Sequence, residues 1–199
     1  FVTTINNSGK NTFKLLENLL EWARSQQDKI PFAPKEINLY NIAYETYMLV
    51  SSNANDKQII IHLDVAKELT IVADAEMLKT IIRNLVSNAI KFTKKGYVAF
   101  HVEVKNKKNN TADILFHVKD TGIGISKEKI EQIVEPFQQG DTRDARKYEG
   151  TGMGLSIANK LTQMLNGKLL IESQPGKGST FTVHLKQVKI SRDKIDSQT

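Results

Sequence analysis

Apolar positions along the chain follow two rhythms, one of three to four residues and one of two. The first rhythm opens the sequence. Phe13, Leu16, Leu20 and Ala23 recur at helical spacing, and Leu15, Leu19 and Trp22 form a second stripe beside them. This predicts one long helix up to about Gln27, with an apolar face too wide to stand alone in water. In "KIPFAPKE", Pro31 and Pro34 end that helix and stiffen a short connection. From Ile37 the rhythms alternate. A helix is expected over 39–52, a strand over 58–65 ("QIIIHLDV"), and a short strand over 69–74 ("LTIVAD"). Asp74 is placed to cap the next helix, Ala75–Phe92. "YVAFHVEVK" and "ADILFHVKD" alternate with period two across the polar turn "NKKNNT", the signature of a hairpin. A glycine-rich stretch from Asp120 to Gly154 carries one short helix over 126–134. A helix over 155–165 then ends at Asn166-Gly167. "KLLIES" and "STFTVHL" form a second hairpin about "QPGKG". The pattern predicts an α+β fold, a two-layer sandwich with helices on one face of a mostly antiparallel sheet. The expected organisation is a helical segment over 1–30, a linker over 31–36, one domain over 37–186, and a polar tail over 187–199.

Composition narrows the classes. The 199 residues suffice for one sizeable domain plus an appendage, and 40% apolar with 25% charged residues is ordinary for a globular protein. With no cysteine there is neither a disulfide framework nor a thiolate metal site. No apolar run approaches the roughly 18 residues of a membrane span, and no signal peptide opens the sequence. A cytosolic setting is expected, as the cytosolic portion of a protein that is itself open to membrane anchoring. The net charge of +6 is spread over short clusters at 91–95, 105–108 and 143–147. Aromatics make up only 7%, so the dense basic and aromatic stripe of a nucleic-acid surface is missing. A phosphate-bearing small molecule accounts for the charge equally well, as does plain solvation of each lysine pair.

Three stretches carry candidate chemistry. In "RNLVSNAIKFTKKG", Asn84, Asn88 and Lys91 stack on one side of a helix at steps of four and three. An amide oxygen is a neutral hard ligand, suited to Mg²⁺ that binds mainly through substrate phosphates, and Lys91 supplies a point charge for phosphate. A plain polar helix face reads the same three residues. In "VKDTGIGI" a strand ends at Asp120, and Gly122 and Gly124 let the backbone approach a ligand closely. A carboxylate only accepts, so Asp120 can take a hydrogen bond from the adenine amine but not from the guanine oxygen; a simple turn remains the alternative. In "EGTGMGLSIANKL", Gly150, Gly152 and Gly154 run into a helix whose exposed N–H groups and dipole favour anions. No P-loop spacing occurs, and no strand precedes the glycines as a dinucleotide fingerprint requires.

Taken in order, these stretches resemble the nucleotide-binding signature of sensor histidine kinases, within the gyrase–Hsp90–kinase–MutL ATPase superfamily and its Bergerat fold. "NLVSNAIKFT" looks like the asparagine box, "DTGIGI" the first glycine box, and "EPFQQGD" the phenylalanine box. "GTGMGL" looks like the second glycine box and "GKGST" the terminal one. The likeness runs from about Ile37 to Leu185, and "LLENLLEWARSQ" resembles the end of the second helix of the dimerisation and phosphoacceptor hairpin.

The resemblance implies Mg²⁺ and ATP as cofactors. Asn88 would ligate the metal with Asn84 as neighbour, Lys91 would contact phosphate, and Phe92 would pack near adenine. Asp120 would hold the adenine amine, supported through water by Thr180, with Gly122, Gly124 and Ile125 shaping the purine pocket. A lid over 126–152 would be anchored by Phe137, with Arg143, Arg146 and Lys147 as candidates for phosphate. Gly150, Thr151, Gly152, Met153, Gly154 and Leu155 would cradle the phosphates. The implied activity is γ-phosphoryl transfer to a histidine on the dimerisation helices. His62, His101, His117 and His184 all fall in strand patterns, so the acceptor histidine is expected outside this chain, which reads as the ATP-binding domain with half of its docking hairpin. Implied partners are the phosphoacceptor helices of the same protein, as a homodimer, and a response regulator or a fused receiver domain downstream. Neither nucleic acid nor direct membrane contact is implied. Two alternatives remain: a nucleotide-binding signalling module without transfer, or another ATPase of the superfamily. Asn84 stands against the latter, because many hydrolytic relatives carry a water-activating Glu in that helix.

Overall fold

The computed structural model describes residues 32–135 and 152–191. The expected leading helix therefore lies outside the described residues, as do Phe137, Arg143, Arg146, Lys147, Gly150 and Thr151.

The chain enters at Ala33, whose N–H donates to Asp74 Oδ2 at 2.9 Å. Strand β1 (Lys35–Asn38) leads into helix α1 (Leu39–Asp56), capped where the Asn38 side chain accepts the Asn41 N–H. Strands β2 (Ile59–Asp64) and β3 (Thr70–Ala73) follow, then helix α2 (Ala75–Phe92). Asp74 caps α2 by accepting from Glu76 and Met77 N–H at 3.1 and 3.0 Å, which satisfies two of the donors that a helix start leaves open. The apolar stripe Leu78, Ile81, Ile82, Leu85, Val86 and Ala89 is buried along its length. Each fully buried Leu or Ile contributes roughly 1.5–3 kcal/mol, so α2 is held by packing more than by helix propensity.

Strands β4 (Gly96–Lys108) and β5 (Thr111–Asp120) form the first hairpin. The expected helix over 126–134 is broken into a single turn α3 (Lys127–Ile130) and a 3₁₀ turn over Gln132–Val134, neither with a fully buried residue. Ile133 and Val134 pack against the core only in part, too little to hold a continuous helix. Helix α4 (Gly154–Met164) and strands β6 (Gly167–Gln174) and β7 (Gly178–Lys189) complete the fold. It is Asn166, with φ +56°, that turns the chain out of α4 in the left-handed region, rather than the glycine after it.

The main sheet has five strands in the order β2-β4-β5-β7-β6. All its neighbours pair antiparallel except β2 with β4, where α2 lies in the crossover a parallel pair needs. Val98, Phe100 and Val102 of β4, Ile114, Phe116 and Val118 of β5, and Val183 and Leu185 of β7 are buried on the face that α1, α2 and α4 cover. The intervening residues, the four histidines among them, line the other face.

The folded unit is longer at both ends than the sequence pattern implied. Lys35 and Glu36 fall in β1, inside the expected linker, because β1 pairs with β3 as a separate two-stranded sheet. Residues 187–190 belong to the fold rather than to a polar tail. Lys189 pairs with Thr111, Ile190 bridges to Ile71, and Ser191 N–H reaches Thr70 O at 3.1 Å. Pairing partners far away in sequence supply what local polarity hides.

Candidate nucleotide site

The three candidate stretches meet along one side of α2. At its C-terminal end the loop after β5 folds back onto it, and Ile123 N–H donates to Phe92 O at 3.3 Å. Gly122 sits so close that an added Cβ would strike the Phe92 carbonyl and the Asp120 carboxylate. Two turns earlier Asn84 meets the start of α4, where a Cβ on Gly154 would stand 3.1 Å from Asn84 Oδ1. Asn88 lies midway on the same side, half-buried like Asn84. Lys91 folds over the Phe92 ring, its Nζ 4.8 Å from the centroid. The helix carrying Asn84 and Asn88, the turn after Asp120 and the start of α4 therefore meet along one side of α2.

The loop over 121–125 is moored from several sides. Thr121 Oγ1 accepts from Tyr97 N–H at 3.0 Å, and Asp120 Oδ1 accepts from Gly122 N–H at 2.8 Å. Ile123 O accepts from Gly176 N–H at 2.8 Å, and Ile125 N–H donates to Ser173 Oγ at 2.8 Å. Gly124 takes φ +66°, and an added Cβ would strike the Gln174 carbonyl, so both backbone angle and space require glycine.

Asp120 is 4% exposed and faces the helix layer. Burial pushes its carboxyl above the usual aspartate range, and the N–H groups of Gly122 and Ser179 pull it part of the way back. An ionised, buried acceptor gains most from a ligand donor.

Thr180 is a correction. Along β7 it pairs with Lys119, whereas Asp120 pairs with Ser179. Side chains alternate across a strand, so Thr180 stands on the outer face and the buried Ser179 stands beside Asp120. Ser179 is the residue the sequence reading missed, by one position. The register of β5 against β7 is what decides between them.

Gly152 (φ +70°) and the buried Met153 lead into α4, whose first turn has no side-chain cap. A helix start of this kind, with no side-chain cap among the described residues, favours an anion. Leu155 and Ile125 pack into or against the core around the groove. At the far end, Lys57 Nζ reaches from the end of α1 to the carbonyls of Ile90 and Lys91 at 2.9 and 3.0 Å. A cation at this helix C-terminus holds the turn that carries Lys91 and Phe92.

Among the described residues no group of three His, Cys, Asp or Glu side chains could hold a metal ion. A divalent cation in this groove would draw on an amide oxygen and on oxygens brought by a ligand, which matches Asn88 and a phosphate chain.

A family described as "histidine kinase-, DNA gyrase B-, and HSP90-like ATPase" matches residues 73–189, from the cap of α2 to the end of β7. The chain belongs to this ATPase family. Among its relatives, the sensor protein GacS of Pseudomonas syringae pv. syringae is 30% identical over 99% of this chain and 22% of its own length. The signal transduction histidine-protein kinase BarA of Escherichia coli K12 is 31% identical over 92% of this chain and 20% of its own length. The chain thus spans about a fifth of the length of the curated relatives it matches. A solved structure of full-length ShkA in complex with AMPPNP superposes with a TM-score of 0.81 at 27% identity, covering 94% of this chain and 38% of that one. The α+β fold is that of the histidine kinase ATPases, and the domain is a nucleotide-binding one. Among the described residues no helix is long and apolar enough to cross a membrane.

Proposed function

We propose that this chain is the ATP-binding catalytic domain of a two-component sensor histidine kinase, presenting the γ-phosphate of Mg-ATP to a histidine on the dimerisation helices of its own protein. What supports the reading is that the Asp120–Gly122 turn packs on Phe92 at the end of α2 and Gly154 packs on Asn84 two turns earlier, with the half-buried Asn88 between them along the helix. Asp120 accepts the adenine amine, with Ser179 beside it. Phe92, Gly122, Gly124 and Ile125 wall the purine. Asn88 offers its amide oxygen to the metal, and Lys91 neutralises phosphate. The start of α4 receives the polyphosphate through its helix dipole, with Gly152 to Leu155 setting the chain's approach.

Bound with Mg²⁺, ATP supplies the phosphoryl group; transfer of such a group is mostly positioning and charge neutralisation. The groove wall meets those needs without a nucleophile of its own. His62, His101, His117 and His184 lie on the outer sheet face, away from the helix layer that carries the groove. The acceptor belongs to the phosphoacceptor hairpin, whose second helix the segment 1–30 resembles. A basic residue of the segment between Phe137 and Thr151, Arg143, Arg146 or Lys147, completes the phosphate contacts. Onward transfer goes to a response regulator or fused receiver domain, in the cytosol.

The test mixes the chain with γ-labelled ATP and a separately made hairpin bearing the histidine. Acid-labile, base-stable label on the hairpin is expected, and Asn88→Ala should abolish it while removing the Mg²⁺ dependence of ATP binding. Tight nucleotide binding with no transfer to a cognate hairpin would leave a binding module instead.

A further inference from the structure

Asp120, Ser179 and Ser173 form one cross-strand row on the helix face, from β5 through β7 to β6. The hydroxyl at the edge of that row has three partners. Ser173 Oγ accepts the Ile125 N–H at 2.8 Å, donates to the Gly178 carbonyl at 3.0 Å, and lies 2.9 Å from Ser179 Oγ. A serine hydroxyl owns one proton. Once that proton is committed to Gly178 O, only Ser179 can be the donor in the contact between the two hydroxyls. The Ser179 proton thereby points away from Asp120 and toward the sheet edge. What Ser179 has left to offer is lone pairs, next to a carboxylate that also only accepts.

We propose that Ser173 is a specificity-determining positioning residue: by orienting the Ser179 hydroxyl, it makes the Asp120–Ser179 row a purely accepting edge that takes a purine six-amino group and rejects a six-oxo group. This rests on reading the groove as an adenine-nucleotide site. The geometry makes a particular demand of residues outside the groove. Ser173 touches no ligand; it works through the proton of its neighbour and through the Ile125 amide that closes the purine loop. Without the Ser173 oxygen, the Ser179 hydroxyl is free to turn and donate to an oxo group, and the penalty against that group falls.

The experiment compares ATP with inosine triphosphate, in which an oxo group replaces the six-amino group, by calorimetric titration of the 199-residue chain. Wild type should prefer ATP. Ser173→Ala should lower the ATP-to-inosine-triphosphate affinity ratio about three- to tenfold, the range of one neutral hydrogen bond. Ser173→Thr, which keeps the hydroxyl, should restore it. Both nucleotides are measured on the same variant, so a loss of folded fraction cancels from the ratio. A wild-type preference that survives intact in Ser173→Ala overturns the role of Ser173 alone. No preference in wild type, with Asp120→Asn equally indifferent, overturns the adenine reading of the groove and this role with it.

Discussion

Asp120 is held in a costly state. Burial of this carboxyl, 4% exposed, raises its pKa, and two backbone N–H groups offset part of that rise. Its folded-state pKa lies above the unfolded one, so over the interval between them the folded chain binds more protons. Stability then falls as pH rises through that interval, from the ordinary aspartate value to the raised one. Asp120→Asn removes this slope. We expect the variant to match or exceed wild type in denaturant midpoint at neutral pH, while the wild-type excess in slope disappears from the pH profile. The same variant should bind ATP about tenfold or more weakly, since the amide puts a donor where adenine also donates. A variant that is both less stable and unchanged in affinity would remove Asp120 from the adenine contact. Ser179 and Thr180 show the limit of reading at this scale. The motif "GKGST" offers two neighbouring hydroxyls, and a one-residue step flips the side chain to the other face.

Among the elements, the loop over 121–125 depends on its neighbours for shape. Gly124 combines a left-handed φ of +66° with a position where an added Cβ would strike the Gln174 carbonyl. Gly124→Ala should destabilise the domain by about 2 kcal/mol or more, visible as a lower thermal midpoint, and weaken ATP in parallel. A midpoint within error of wild type would show that β6 and the loop separate freely. At the other end of the sheet the register shifts between Lys105 and Lys108 of β4 and between Ala112 and Ile114 of β5, and the two irregularities have a shared anchor. Asp113 accepts from Asn106 Nδ2 at 2.8 Å and from Gln187 N–H at 2.9 Å, and both Asn106 and Gln187 have positive φ. Asn106, together with the hairpin asparagine Asn109 at φ +54°, made the polar run "NKKNNT" read as one turn, whereas β4 continues to Lys108. Side chains at bulges disguise strand continuity, because the alternation is interrupted where the extra residue sits.

For the whole molecule, the two-layer arrangement sets which substitutions matter. Val183 is fully buried between sheet and helices, while Leu170 is 48% exposed on the outer face. Val183→Ala should cost about 1–3 kcal/mol of unfolding free energy, and Leu170→Lys should stay within about 0.5 kcal/mol of wild type. Urea titrations of the pair check this; equal losses would mean that both faces of the sheet are covered. The outer face also collects the histidines with their acceptors. His101 Nδ1 lies 2.8 Å from Asp64, His117 Nδ1 2.9 Å from Thr182, and the two rings stack at 5.7 Å. These contacts account for histidines in strand patterns without giving any of them a place at the groove.

Local chemistry determined much of this protein from sequence alone. The Asp74 cap, the apolar stripe of α2, the period of two in β4 and β5, and the spacing of Asn84, Asn88 and Lys91 are properties of neighbouring residues, so they are legible in order. Tertiary structure decided what depends on partners distant in the chain. It made β2 parallel to β4, drew β1 and the end of β7 into the fold, and put Ser179 rather than Thr180 beside Asp120. It also tied Ser173 to the loop over 121–125 and Lys57 to the last turn of α2, each far from it in sequence. Strand register and cross-sheet hydrogen bonds join residues tens of positions apart, and no short window of sequence contains both members of such a pair.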